Sequence, residues 1–253
     1  MNISWFIYTT GGNDVKLLGR DRFLLLMFLF GLVLAGALRY ILPWIDGSLA
    51  SGGIMPGSLT EMRFSDFYPL AVAHMVIYSG ASLVGAIYGF MLLDERDDHT
   101  IISMMITPIS LNRFVLYRIG SCALLAAVMI IAMVYLAGFK LLPVWQILLI
   151  AVAASLAAPI LALFYATVAE NKVQGFAYAK FGGIAAWTIL IGWFIADPWQ
   201  WLFGIFPPFL ISKAYWMALT GDSLWWLALV LGIILQSVLI GWQIRWFTKV
   251  VRQ

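Results

Sequence analysis

Four carboxylates stand within five residues, Asp94, Glu95, Asp97 and Asp98, interrupted only by Arg96 and followed by His99. Hard divalent cations are held by several carboxylate oxygens, so metal binding is the first chemistry such a cluster could support. Metal-dependent membrane transferases pair acidic motifs from separate helices, and this chain has no second acidic motif. Zinc is poorly supplied as well, because His74 and His99 are the only histidines and lie far apart. There is no Gly-x-Ser-x-Gly nucleophile elbow and no Gly-x-x-x-x-Gly-Lys-Ser/Thr phosphate loop. The chain therefore does not bind ATP by the usual route. A membrane enzyme with a metal at Asp94, Asp97, Asp98 and His99 stays as an alternative reading.

The same residues suit a different purpose. Carboxylates at a helix start satisfy free N–H groups and the helix dipole, so Asp97 and Asp98 can open a short helix. Ile101, Met104 and Met105 then fall at i, i+3 and i+4 and make one apolar face, and Pro108 ends the run. Methionine is flexible and fills the groove of a partner well. Residues 94–113 thus read as a docking element for a soluble partner. The competing reading lays the apolar face on a bilayer surface.

What positions this polar stretch is a pair of long apolar segments. Of the 253 residues, 63% are hydrophobic and 11% charged, with a mean hydropathy of +0.96. Soluble domains carry roughly 25% charged residues, so the composition is that of a membrane protein. A crossing helix needs about 20 apolar residues, and the sequence offers six such runs, near 23–42, 68–93, 114–138, 144–168, 181–196 and 224–247. The expected fold class is an all-α polytopic membrane protein in one domain, 1–253. A β-barrel would alternate apolar and polar residues in segments of about ten, and none do.

Local signals refine the layout. Residues 1–22 combine Trp5, Phe6 and Tyr8 with Lys16, Arg20 and Arg22, as an interfacial helix would. No cleavable signal peptide is expected. Pro43 closes the first run, near whose end Arg39 can snorkel to the interface. Ala81, Gly85 and Gly89 lie four apart in the second run and allow a close helix contact, within the chain or at a dimer seam. Pro159 should kink the fourth run. Residues 197–219 hold an apolar core broken by Pro207-Pro208, too short for a crossing, and suit a pair of re-entrant helices.

Six crossings put both termini on one side. Placing them inside gives Lys16, Arg20, Arg22, Arg96, Arg113, Arg118, Lys172, Lys180, Arg245, Lys249 and Arg252 to the inner segments. The outer segments keep Arg39, Arg63, Lys140 and Lys213, and eleven against four selects cytoplasmic termini. The net charge of +3 follows from this distribution and calls for no nucleic acid. Lone Cys122 excludes an intrachain disulfide. An ion-coupled transporter would carry ionisable groups inside the membrane, and Arg39 and His74 are its best candidates here. That scarcity points to energy supplied from elsewhere.

The stretch from Glu95-Arg96-Asp97-Asp98-His99-Thr100 to Thr107-Pro108-Ile109-Ser110, in a six-span layout, resembles the membrane subunits of ABC type-2 exporters. Small bacterial drug- and antibiotic-export permeases are the nearest in size. The resemblance implies an N-terminal elbow helix over residues 1–22, a cytoplasmic coupling helix within 94–113 and a re-entrant pair over 197–219. It implies that Asp94, Glu95, Arg96, Asp97, Asp98, His99, Ile101, Met104, Met105 and Pro108 engage an ABC ATPase subunit, present in two copies. The chain would work as a homodimer or beside a related permease in the bacterial inner membrane. It would be a transport subunit rather than an enzyme, with ATP and Mg held by the partner and no cofactor of its own. A hydrophobic or amphipathic substrate would pass along the first, second and fifth spans, near Phe28, Tyr78, Ser82 and Trp187.

Overall fold

The computed structural model describes residues 21–52, 63–97, 111–139 and 142–251. The described residues are helical and include no β-strand. Among the described residues six helices are long and apolar enough to cross a membrane, as the composition predicts. The elbow helix proposed for residues 1–22 lies outside the described residues but for its last two.

Span one is α1, Arg22–Gly52. Asp21 starts it, its Oδ1 accepting the N–H groups of Phe23 and Leu24 at 2.9 and 3.3 Å. The helix does not stop at Pro43, as expected, but runs through it. A proline only removes the hydrogen bond to the carbonyl four residues back, here that of Arg39.

Span two is a composite rod. A 3₁₀ turn, Phe64–Phe67, leads into α2, Tyr68–Ala71, then a π-helical stretch, Val72–Tyr78, then α3, Ser79–Asp97. It is the central element: 83% of its most apolar window is buried, against 22% in span one and 24% in span five. Apolar burial drives little inside a membrane, where lipid is as oily as leucine, so close van der Waals packing must do the work. The small-residue stripe supplies it within the chain. A Cβ on Gly85 would stand 2.6 Å from the Ala158 carbonyl oxygen, and one on Gly89 2.8 Å from the Tyr165 ring. Span two presses these glycines onto span four.

Span three is α4, Leu111–Ala137, closed by Gly138 at φ +66°. The guanidinium of Arg39 packs against that glycine, 3.2 Å from where a Cβ would sit. Arg39 thus lies over the carbonyl end of span three, where a cation is favoured. Span four breaks into α5, Val144–Ser155, and α6, Ala157–Val168, at Leu156. Pro159 cannot donate to the Ser155 carbonyl, which places the break there.

Span five is α7, Lys172–Trp193, starting nine residues before the expected 181. Asn171 accepts from the Gln174 N–H at 3.0 Å while Gln174 Oε1 accepts from the Glu170 N–H at 3.0 Å. This reciprocal cap starts the helix inside what reads as a polar loop. A 3₁₀ turn, Trp199–Ile205, and α8, Pro207–Thr220, follow. Pro207 and Pro208 occupy the first turn of α8, where a missing N–H costs nothing, and Gly221 at φ +77° ends it. Span six, α9, is Trp225–Val251 and packs on α8 and α6. Gln236 on α9 donates to the Ala153 carbonyl at 3.0 Å, just ahead of the break in span four.

Candidate functional site

The last turn of span two carries the start of the polar stretch. Asp94, Glu95, Arg96 and Asp97 continue α3 rather than opening a new helix, which corrects the expected boundary at residue 93. Two contacts hold this turn. Glu95 forms an ion pair with Arg118 of α4, the side chains being 14% and 3% exposed. Arg96 donates to the Ala166 and Ala169 carbonyls at 2.9 and 2.5 Å, covering the C-terminal carbonyls of α6. Carboxylates at a helix C-terminus oppose its dipole, and Arg118 and Arg96 offset that cost. Glu95 and Arg96 therefore hold the end of span two onto spans three and four. Asp94 is partly buried, and it has interactions of its own. The other residues of the predicted docking element, Asp98, His99, Ile101, Met104, Met105 and Pro108, lie outside the described residues.

Among the described residues no group of three or more His, Cys, Asp and Glu side chains is placed to hold a metal. Of the alternative metal site at Asp94, Asp97, Asp98 and His99, the last two lie outside the described residues.

A cavity of about 420 Å³ opens between spans one, two and five, with Tyr165 of span four at its edge. Of the residues expected along a substrate path, Tyr78 and Ser82 line it. Phe28 and Trp187 do not: Phe28 packs on the core from α1, and Trp187, one residue past the lining Ala186, is 63% exposed. Small residues at Ala179, Gly182, Gly183 and Ala186 make the α7 wall, spaced three and four apart as one helix face. The three- and four-residue spacing of these small side chains is the sequence signal for that wall.

The π-helical stretch shapes the opposite wall. A wider turn rotates the side chains that follow it, and His74, Met75 and Tyr78 all border the cavity from this segment. Tyr78 donates its hydroxyl to the Gly182 carbonyl at 2.6 Å, pinning span two to span five across the cavity edge. Ser79 and Ser82 return their hydroxyls to their own helix, at the Met75 and Ser79 carbonyls. His74 lies at the Ala186 backbone, and its Nδ1 has no partner among the described residues. Among the described residues no Asp, Glu, Lys or Arg lines the cavity. It offers aromatic rings, methionine thioethers and a single imidazole, which suits an uncharged or amphipathic aromatic guest.

One turn beyond the lining residues, toward the Arg96 end, Phe23, Phe90 and Phe176 converge. Phe90 and Phe176 have ring centroids 4.6 Å apart, and Phe23 lies 5.3 Å from Phe176 and 6.3 Å from Phe90. They come from spans one, two and five, each three or four residues from the cavity-lining Met27, Ala86 and Ala179. The trio forms an aromatic cluster linking the three spans.

At the other end of the bundle sits a buried cation. Lys213, 2% exposed, donates from Nζ to Asp197 Oδ1 and Gln200 Oε1, each at 2.6 Å, and lies 5.0 Å from the Trp201 ring centroid. These contacts hold α8 to the segment after span five.

Comparison with known proteins agrees with this picture of a permease. The chain is 28% identical over 229 residues, 88% of its length and 86% of theirs, to two proteins of Mycobacterium tuberculosis. They are the fluoroquinolones export permease proteins MT2760, of strain CDC 1551, and Rv2686c, of strain H37Rv. No solved structure matches the chain. Residues 14–244 match the family described as fluoroquinolones export permease protein Rv2686c-like, consistent with the ABC type-2 permeases that the sequence resembles. The chain is a multi-pass membrane protein of the Rv2686c-like export permease family.

Proposed function

We propose that the chain is the membrane-spanning subunit of an ATP-driven exporter for aromatic, amphipathic drug-like molecules, fluoroquinolones among them. The carrying observation is the charge-free cavity of about 420 Å³ between spans one, two and five. A planar aromatic guest of that size fits a chamber walled by Tyr78, Tyr165 and methionines, and the relatives' name supports the same class. The chain supplies no phosphate loop, so ATP and Mg are held by two copies of a separate ATPase subunit. A second permease, identical or related, completes the pathway. The termini and the Arg96 end face the cytoplasm of a bacterial inner membrane.

In this reading the ATPase engages residues 94–108. Closure of the ATPase pair pushes on the last turn of span two. The Glu95–Arg118 and Arg96–span four contacts pass that push to spans three and four, so that three helices tilt as one body. The Phe23–Phe90–Phe176 end then closes while the opposite end opens, which is alternating access.

The experiment is norfloxacin accumulation in a susceptible bacterium expressing the permease with its co-expressed ATPase. Accumulation should fall several-fold with both subunits, and not when the ATPase carries a dead phosphate loop. Export that continues without ATPase turnover and collapses with the proton gradient would overturn the reading in favour of ion coupling. Alanine at Met104 and Met105 should release the ATPase on co-purification, and an intact complex would remove the docking role.

A further inference from the structure

A second cavity, of about 300 Å³, lies at the Pro69 end of the bundle, and its chemistry differs from that of the first. Trp193 and Trp216 border it, their rings meeting edge to face with centroids 4.8 Å apart at 75°. Trp216 is fixed, 7% exposed and donating its indole N–H to the Pro69 carbonyl at 3.2 Å. Among the described residues three charged side chains line the same cavity: Asp197, Lys213 and Asp222. The ammonium of Lys213 is enclosed by Asp197, Gln200 and the Trp201 ring and is 2% exposed, so it is not offered to a guest. The two carboxylates are exposed, and they outnumber the ammonium. Asp222 also receives the Leu224 N–H at 2.8 Å, which holds its carboxylate at the cavity rim.

We propose that this chamber is a binding site for organic cations, molecules carrying an ammonium group on an aromatic or aliphatic body. Indole rings attract cations through their quadrupole, and a chamber with an excess of carboxylate keeps that preference and rejects carboxylates. The charge-free cavity between spans one, two and five has no such preference, so the two chambers select on different properties. An anion site would need the Lys213 ammonium, and reaching it means displacing both Asp197 and Gln200. The geometry favours the cation.

The test uses the purified full-length chain in detergent, with benzyltrimethylammonium as probe, followed by titration calorimetry and tryptophan fluorescence. Benzoate and benzyl alcohol serve as anionic and neutral controls of similar body. The cation should bind at least tenfold more tightly than either control. Asp222→Asn keeps an oxygen to receive the Leu224 N–H while removing the charge, so it should unfold at the parent temperature and bind the cation roughly tenfold more weakly. Lys213→Met should tighten cation binding, because the carboxylate excess grows. Equal binding of the three probes, or an Asp222→Asn variant that binds the cation like the parent, overturns the proposal. Since no ATPase and no transport step enters the measurement, its failure leaves the exporter reading standing.

Discussion

Glu95 and Arg118 form an ion pair that ties the last turn of span two to the start of span three, and Arg118 is buried there. Removing one partner leaves a charge without its mate in a low-dielectric setting, which costs about 3–5 kcal/mol. Glu95→Gln and Arg118→Gln should each lower the unfolding temperature in detergent and uncouple drug-stimulated ATP hydrolysis from export. The exchanged double variant, Glu95→Arg with Arg118→Glu, should recover part of both. If the double variant is no better than the sum of the singles, the pair is not the link between these spans.

The contact between spans two and four rests on Gly85 and Gly89, which have no room for a side chain. Gly85→Val would force a methyl-bearing carbon against the Ala158 carbonyl oxygen and separate the helices. Folded, monodisperse protein should fall to a small fraction of the parent yield on fluorescence-detected size exclusion. Gly36→Ala is the matched control, because a Cβ there meets nothing within 4 Å, and it should be indistinguishable from the parent.

Phe23, Phe90 and Phe176 cluster one turn beyond the first cavity. Phe176 is 47% exposed, so Phe176→Ala opens this cluster without emptying the core. The expected outcome is retained folding with faster energy-independent leak of norfloxacin into proteoliposomes. Ala186→Phe should fill the chamber instead, lowering export with ATPase docking unchanged. His74→Asn should alter the apparent KM for drug while ATP still drives export; complete loss of transport would point to a proton-carrying role.

The Lys213–Asp197 pair predicts an asymmetry. Asp197 has a side chain 66% exposed and can be hydrated when its partner is removed, whereas Lys213 at 2% cannot. Asp197→Ala should therefore destabilise more than Lys213→Met, the difference being about 1–3 kcal/mol. Thermal unfolding of the two variants side by side checks the order. A reversed order means that α8 is held by other contacts.

Much of this protein was legible from its residues in order. Six apolar runs, the position of their charges and the stripe of Ala81, Gly85 and Gly89 specify an all-helical bundle with one close helix pair, because lipid forces every backbone group to be satisfied within a helix. Pro159 announces the break in span four, and Tyr78 and Ser82 fall on the wall of the cavity. The boundaries at Pro43, Asp94 and Asn171 were less legible. There a local breaker or polar run competes with caps and partners remote in sequence, and the partners win. Asp94 to Asp97 stay helical where Arg118 and the Ala166 carbonyl lie within reach, contacts 23 and 70 residues away in the chain.

The π-helical stretch at Val72–Tyr78 has no residue signature that hydropathy could display. It packs at once against spans one, three and five, and its registry sets which side chains meet the cavity. The choice of Met27, rather than Phe28, and of Ala186, rather than Trp187, is likewise a matter of helix rotation within the bundle. The sequence alone determined that this chain lives in a membrane and which segments cross it, since composition and period are local properties. Only the tertiary structure decided which charges are spent on internal pairs and which faces enclose a chamber. Pairing and enclosure depend on distances between residues that the chain itself keeps far apart.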